Sequence, residues 1–349
     1  MRLIVPFVIA GLLLTAPVGA QDANPRIVVR EVVREIARAP HTAYQGRDRG
    51  PEQTERFSRK VRIGRDGRVS VQNISGDIVV SAGSGDEVSI EAVKHGRGDQ
   101  SQLAAVRILV DDRAGRVDVR TEYDNSRMFR NINVSVDYTL TVPAGASVDL
   151  KSISGNVKVT GIRGGVRAET VSGNVTSTDT PRVEQAKTIS GDVTLTGITT
   201  EGDLAVGTVS GTVHARNVKA RGLELGSVSG DVFVNDVTCE RLNAKSVSGG
   251  FEYTGTISRG GVYDVNVHSG TVRFSLANPP GFELTASTFS GSIRSDLPLT
   301  IGGSSSSSSS SRNGRQRGVS NRSIRATFGD GSATLTLRSF SGDIVISKR

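Results

Sequence analysis

One short phrase, repeated eight times between residues 148 and 293, restricts what this chain can fold into more than any other feature. It reads KSISGNVKV, ETVSGNVTS, KTISGDVTL, GTVSGTVHA, GSVSGDVFV, KSVSGGFEY, NVHSGTVRF and STFSGSIRS. The glycines fall at Gly155, Gly173, Gly191, Gly211, Gly230, Gly249, Gly270 and Gly291, a spacing of 18–21 residues. A period of that length identifies a repeat architecture, in which each unit buries its apolar face only by stacking on its neighbours.

Counting from each glycine predicts the strands. Two residues before it stand Ile153, Val171, Ile189, Val209, Val228, Val247 and Phe289, with His268 as the exception. Two residues after it every copy is apolar, and four after it six of the eight are. This period-2 alternation reads as a half-buried strand with those positions facing inward. Seven and five before the glycine lie further apolar pairs, such as Val148/Leu150, Leu204/Val206 and Leu223/Leu225. Their parity is opposite, so a bend or bulge is expected between the two runs. The expected fold is all-β: a single-chain parallel β-solenoid, β-helix-like, with 18–21-residue repeats carrying a Ser-Gly-Asp/Asn phrase. The glycine itself reads as structural, either relieving crowding or supplying a bulge.

The flanking segments are read in the same way. Residues 1–20 have one basic residue, an apolar run and small residues before Gln21, which predicts a secretory signal peptide. Residues 21–57 read as a charged flexible lead-in, and 58–349 as one solenoid domain. An outlying Ser75-Gly76 precedes the main array by about four repeat lengths, so 58–147 is expected to form degenerate rungs that close one end. A low-complexity Ser/Arg loop at 302–323 is expected to interrupt the last rung, which carries Ser341-Gly342.

Charge is unevenly placed. The net charge is +8, yet residues 21–68 hold twelve basic and seven acidic side chains, and 302–323 holds four arginines and no acid. The remainder is slightly acidic, which argues against a nucleic-acid groove and leaves the basic tails to touch anionic surfaces. No further apolar segment suggests a transmembrane span. The single cysteine, Cys239, makes no internal disulfide and no cysteine metal site, and reads as a small semi-buried side chain.

Catalytic chemistry finds no cluster. His41, His95, His214 and His268 are scattered, and His268 occupies a position expected to face inward. Asp192 and Asp231 follow their glycines two rungs apart, too far for paired carboxylate work. No cofactor and no metal are expected. The candidate interaction face is instead the polar column at three and one before the glycine: Thr170, Ser172, Thr188, Ser190, Thr208, Ser210, Ser227 and Ser229. In stacked register these make flat rows of hydroxyls that suit a glycan or an envelope protein surface.

The passage VDYTLTVPAGASVDLKSISGNVKV, the run of phrases and the closing LRSFSGDIVIS resemble a bacterial β-strand-repeat domain family of unknown function, whose members are described as adhesin-like. The resemblance spans about 58–349. It implies a β-solenoid exported to the cell envelope (periplasm, cell surface or beyond) and supplies no catalytic residue. The expected function is a non-enzymatic adhesin-like or scaffolding protein. The alternative is a polysaccharide-active β-helix enzyme, a lyase or hydrolase.

Overall fold

The computed structural model describes residues 52–97, 101–124, 133–301 and 322–349. The expected signal peptide, the lead-in up to residue 51 and residues 302–321 of the Ser/Arg loop lie outside the described residues. Residues 52–57, placed above in the lead-in, already belong to a strand, Glu52–Arg62.

Each phrase folds as two short strands around a Ser-Gly corner. Upstream strands Ser147–Ser154, Val166–Ser172, Val183–Ser190 and Asp203–Ser210 lie side by side, parallel, with serine opposite serine. Downstream strands Val157–Thr160, Val175–Thr178 and Val193–Thr199 pair in a second parallel column. Strands Val213–Ser229 and Val232–Ser248 run unbroken from the downstream half of one phrase into the upstream half of the next.

The corner explains the glycine. Gly191 has φ 145°. A Cβ there would sit 2.1 Å from the carbonyl oxygen of Gly173 in the rung beside it. The conformation and the close approach each exclude a side chain. Its neighbour Gly173 donates its N–H to the Ser190 carbonyl at 2.9 Å, so the bend keeps the ladder of hydrogen bonds intact.

The corner also corrects the expected parity. Residues seven, five and three before the glycine face inward along one continuous strand, as Leu204, Val206 and Thr208 do. The residue two before it, Val209, is therefore outside. The change of face happens at the glycine itself, after which Val213 and Ala215 point inward again. A strand turns over once per positive-φ corner, and no bulge further upstream is needed.

Pairing is mixed, so the expectation of a wholly parallel stack does not hold. At the N-terminal end Glu52–Arg62 pairs antiparallel with Glu87–Arg97, which pairs antiparallel with Val134–Pro143. Val106–Arg113 and Arg116–Tyr123 form an antiparallel hairpin. At the other end Arg322–Phe328 runs antiparallel to Phe282–Ser290. These strands cover the open edges that a bare parallel stack would leave for aggregation.

Both outlying phrases sit elsewhere than spacing suggests. Arg68–Ser75, which leads into Gly76, pairs directly with Ser147–Ser154, and no degenerate rungs intervene. The residues between supply one more parallel layer beyond it, Arg116–Tyr123 on Arg68–Ser75 and Val134–Pro143 on Ile78–Gly83, together with the antiparallel strands that cover that end. The final phrase does not follow the eighth. Ala333–Ser341 lies between Val262–Ser269 and Phe282–Ser290, parallel to both.

The core through the middle is Val, Leu, Ile and Ala. Towards the C-terminal end it thickens with Phe251, Tyr253, Tyr263, Phe274 and Phe282, all buried. Their hydroxyls are used: Tyr253 Oη donates to the Thr256 carbonyl at 2.7 Å and Tyr263 Oη to the Cys239 carbonyl at 2.6 Å. Cys239 is fully buried, and burial pushes its thiol pKa up to about 12.

Candidate functional site

The polar face expected from sequence divides in two. Ser172, Ser190, Ser210 and Ser229 are exposed. Thr170, Thr188, Thr208 and Ser227 are not, each keeping about 5% of its surface or less. Three of these hydroxyls donate to the glycine carbonyl of the neighbouring rung: Thr170 to Gly155 at 3.0 Å, Thr188 to Gly173 at 2.9 Å and Thr208 to Gly191 at 2.9 Å. They hold corners together. They are unavailable to a ligand.

The residue after the glycine is equally occupied. Asn156 Oδ1 accepts the N–H of Asn174 at 2.9 Å, Asn174 Oδ1 that of Asp192 at 2.8 Å, and Asp192 Oδ1 that of Thr212 at 2.7 Å. Asp231 Oδ1 accepts the Gly250 N–H at 2.7 Å. The Asp/Asn of the phrase is thus a rung-to-rung clamp, satisfying a backbone donor that the turning corner leaves without a ladder partner. Threonine, glycine and Asx together form one structural unit.

What faces solvent is the position two before each glycine. Across adjacent rungs the order is Ile74, Ile153, Val171, Ile189, Val209, Val228, Val247, His268, Phe340 and Phe289. The nine hydrophobic members are 38–53% exposed. At about 4.8 Å per rung the column runs for roughly 43 Å. His268 is in it and exposed, contrary to its expected inward place, and stacks on Phe340 with ring centroids 4.8 Å apart. Phe340 stacks in turn on Phe289 at 4.7 Å.

Beside this ridge lies a concave face of 1140 Å³, lined along seven rungs by the column from Ile74 to Val247 and by the residues two positions upstream of it. The upstream row reads Lys151, Glu169, Lys187, Gly207, Gly226 and Lys245 in successive rungs. Lys151 and Glu169 pair at 3.9 Å. Sequence reasoning missed this face because it sent every apolar residue of the phrase inward. The signal was present in the threonine or serine three before the glycine, which shares its parity with the buried pair at seven and five.

The histidines are dispersed. His95 pairs with Glu52 at 3.1 Å and Asp137 at 3.2 Å, His214 stacks on Phe233, and His41 lies outside the described residues. Among the described residues no group of three or more His, Cys, Asp or Glu is placed to hold a metal ion. No helix among them is long and apolar enough to cross a membrane.

Comparison with known proteins adds a family and distant structural likenesses. The family described as Toastrack DUF4097 matches residues 67–347. A structure described as a "putative adhesin" from Bacteroides fragilis is 14% identical, covering 84% of this chain and 97% of its own, with a TM-score of 0.41. A "putative lipid binding protein" from Parabacteroides distasonis is 10% identical over the same shares, also at 0.41. A "putative adhesin" from that organism is 13% identical, again over 84% and 97%, at 0.38. No curated protein matches the chain.

Proposed function

Starting from a chain that belongs to the Toastrack DUF4097 family, whose function is unknown, we propose that it is an exported, non-enzymatic adhesin-like or scaffolding protein of the bacterial envelope. On this reading it is a β-solenoid that presents a regularly spaced surface, and the column from Ile74 to Phe289 is what it binds with. The expected glycan or envelope-protein partner is kept as a class. The contact moves from the hydroxyl rows to the apolar column.

The observation that carries this reading is the unbroken exposure of branched and aromatic side chains in one line. Scattered apolar residues on a surface need no explanation, but a contiguous patch of several hundred Å² marks an interaction site. Nothing in the rungs requires these residues outside. Threonine at the same positions would suit a strand as well and would be better hydrated.

The test is attachment of cells, or of beads coated with the protein, to envelope material. V209K and V228K change only outward side chains, so the circular dichroism spectrum and melting temperature stay near wild type while attachment falls several-fold. Equal attachment by a folded V209K/V228K protein overturns the reading. An epitope tag in the 304–311 serine run, lost when intact cells are treated with protease while a periplasmic marker is spared, supports surface placement.

A further inference from the structure

We propose that the occupant of the apolar column is a second copy of this chain, docked antiparallel about a two-fold axis that passes beside Gly207. The inference rests on the reading of the column as a binding surface and names its partner.

Period is the first argument. A column that repeats at every rung is matched along its whole length only by a surface with the same repeat, and another copy supplies one. Two such ridges of β-branched side chains pack face to face, rung against rung, as dry sheet faces do. Area is consistent with it. Ten half-exposed side chains offer on the order of 500 Å². The flanking rows bring the face towards the roughly 800 Å² per partner that a standard interface buries.

Two glycines are the second argument. Gly207 and Gly226 face each other in adjacent rungs of the upstream row. Unlike the corner glycines from Gly155 to Gly270, neither has a positive φ. A Cβ on Gly226 would meet nothing within 4 Å, and one on Gly207 would touch only the Gly226 carbonyl oxygen at 3.4 Å. The backbone therefore does not demand glycine here, although glycine weakens a strand interior. What the pair does is open a bay in the wall of lysines and glutamate.

Charge is the third. Among the described residues Lys187, Lys245 and Glu224 take part in no ion pair. Glu224 sits two residues upstream of Gly226 on the same strand and the same outward face. Counting rungs from Gly207, Lys187 lies one to one side and Gly226 one to the other, while Glu169 and Lys245 lie two away on opposite sides. A two-fold axis at Gly207 exchanges these rungs. Each Lys187 then enters the other copy's bay at Gly226, beside Glu224, and each Glu169 meets the other copy's Lys245. Both contacts occur twice, as an isologous interface requires.

The experiment is light scattering on the full chain across the micromolar range. The expected result is a dimer that dissociates at least tenfold more readily as K187E, as E224K, or as G226L, where the leucine fills the bay. The double variant K187E/E224K restores the dimer, which a merely unfolded protein does not do. A monomer at every concentration overturns the proposal, as does a dimer indifferent to these changes or a charge swap that fails to restore it. A monomer that binds glycan or lipid vesicles through the column, losing that binding as V209K, also overturns it while the adhesin-like reading stands. A dimer broken by V209K with attachment unchanged supports the second-copy interface and overturns the adhesin-like reading.

Discussion

At the scale of single residues, the phrase is a set of bonds rather than a ligand motif. Glycine turns the chain over, threonine ties the turn to the glycine of the preceding rung, and Asx receives the next rung's N–H. Two glycines thirty-five positions apart in sequence should therefore behave oppositely. G191A places a methyl 2.1 Å from a backbone oxygen and holds a positive φ, and is expected to cost at least about 3 kcal/mol. G226A meets open space and is expected to fall within about 0.5 kcal/mol of wild type, since it also lowers unfolded-state entropy. Chemical denaturation of the two variants checks both. T188V removes the donor to the Gly173 carbonyl and is expected to cost about 1 kcal/mol.

At the scale of elements, the final rung was the least legible from sequence. Its register is evident, because Leu335, Leu337 and Ser341 repeat the phrase. Its slot is not, since every rung offers the same pairing pattern. The decision lies in the chain between Leu276 and Phe282, which carries the eighth phrase two rungs beyond the seventh and leaves the place that Ala333–Ser341 fills. A chain ending at residue 328 should leave both neighbouring strands with an unpaired edge. We expect it to aggregate or melt well below the full chain, as followed by size-exclusion chromatography and thermal unfolding. Melting unchanged from the full chain would show that the inserted strand contributes nothing.

At the scale of the whole described domain, one continuous core runs through every rung, and its titratable members resist ionisation. Burial pushes Cys239 from 9.0 up to about 12 and Tyr138 and Tyr263 from 10.0 up to about 12. In each case the neutral form is the one the fold accepts. Their contribution is fully present below the unfolded values, near pH 9 to 10, and is lost as the pH rises towards about 12. The melting temperature should thus hold to about pH 9 and fall above it. Cys239 should resist thiol reagents at pH 8 in the native protein and react fully on unfolding. Rapid native labelling would contradict the burial described.

Sequence alone determined the repeat, its register, the all-β class and a structural role for the repeated glycine, because these follow from period-2 patterning that recurs in every unit. It also located the strand that carries the candidate site. Tertiary structure decided which side of that strand faces water. Parity within a strand is local, but which parity is inside depends on the corner where the chain turns over, and that is set by contact with the neighbouring rung. For the same reason Thr170, Thr188, Thr208 and Ser227 moved from the expected face into the interior, while Ile153, Val171 and their column moved out. The placement of Gly76 against Gly155 and of Gly342 between Gly270 and Gly291 was likewise a tertiary choice, since identical edges do not distinguish their partners until the ends are built.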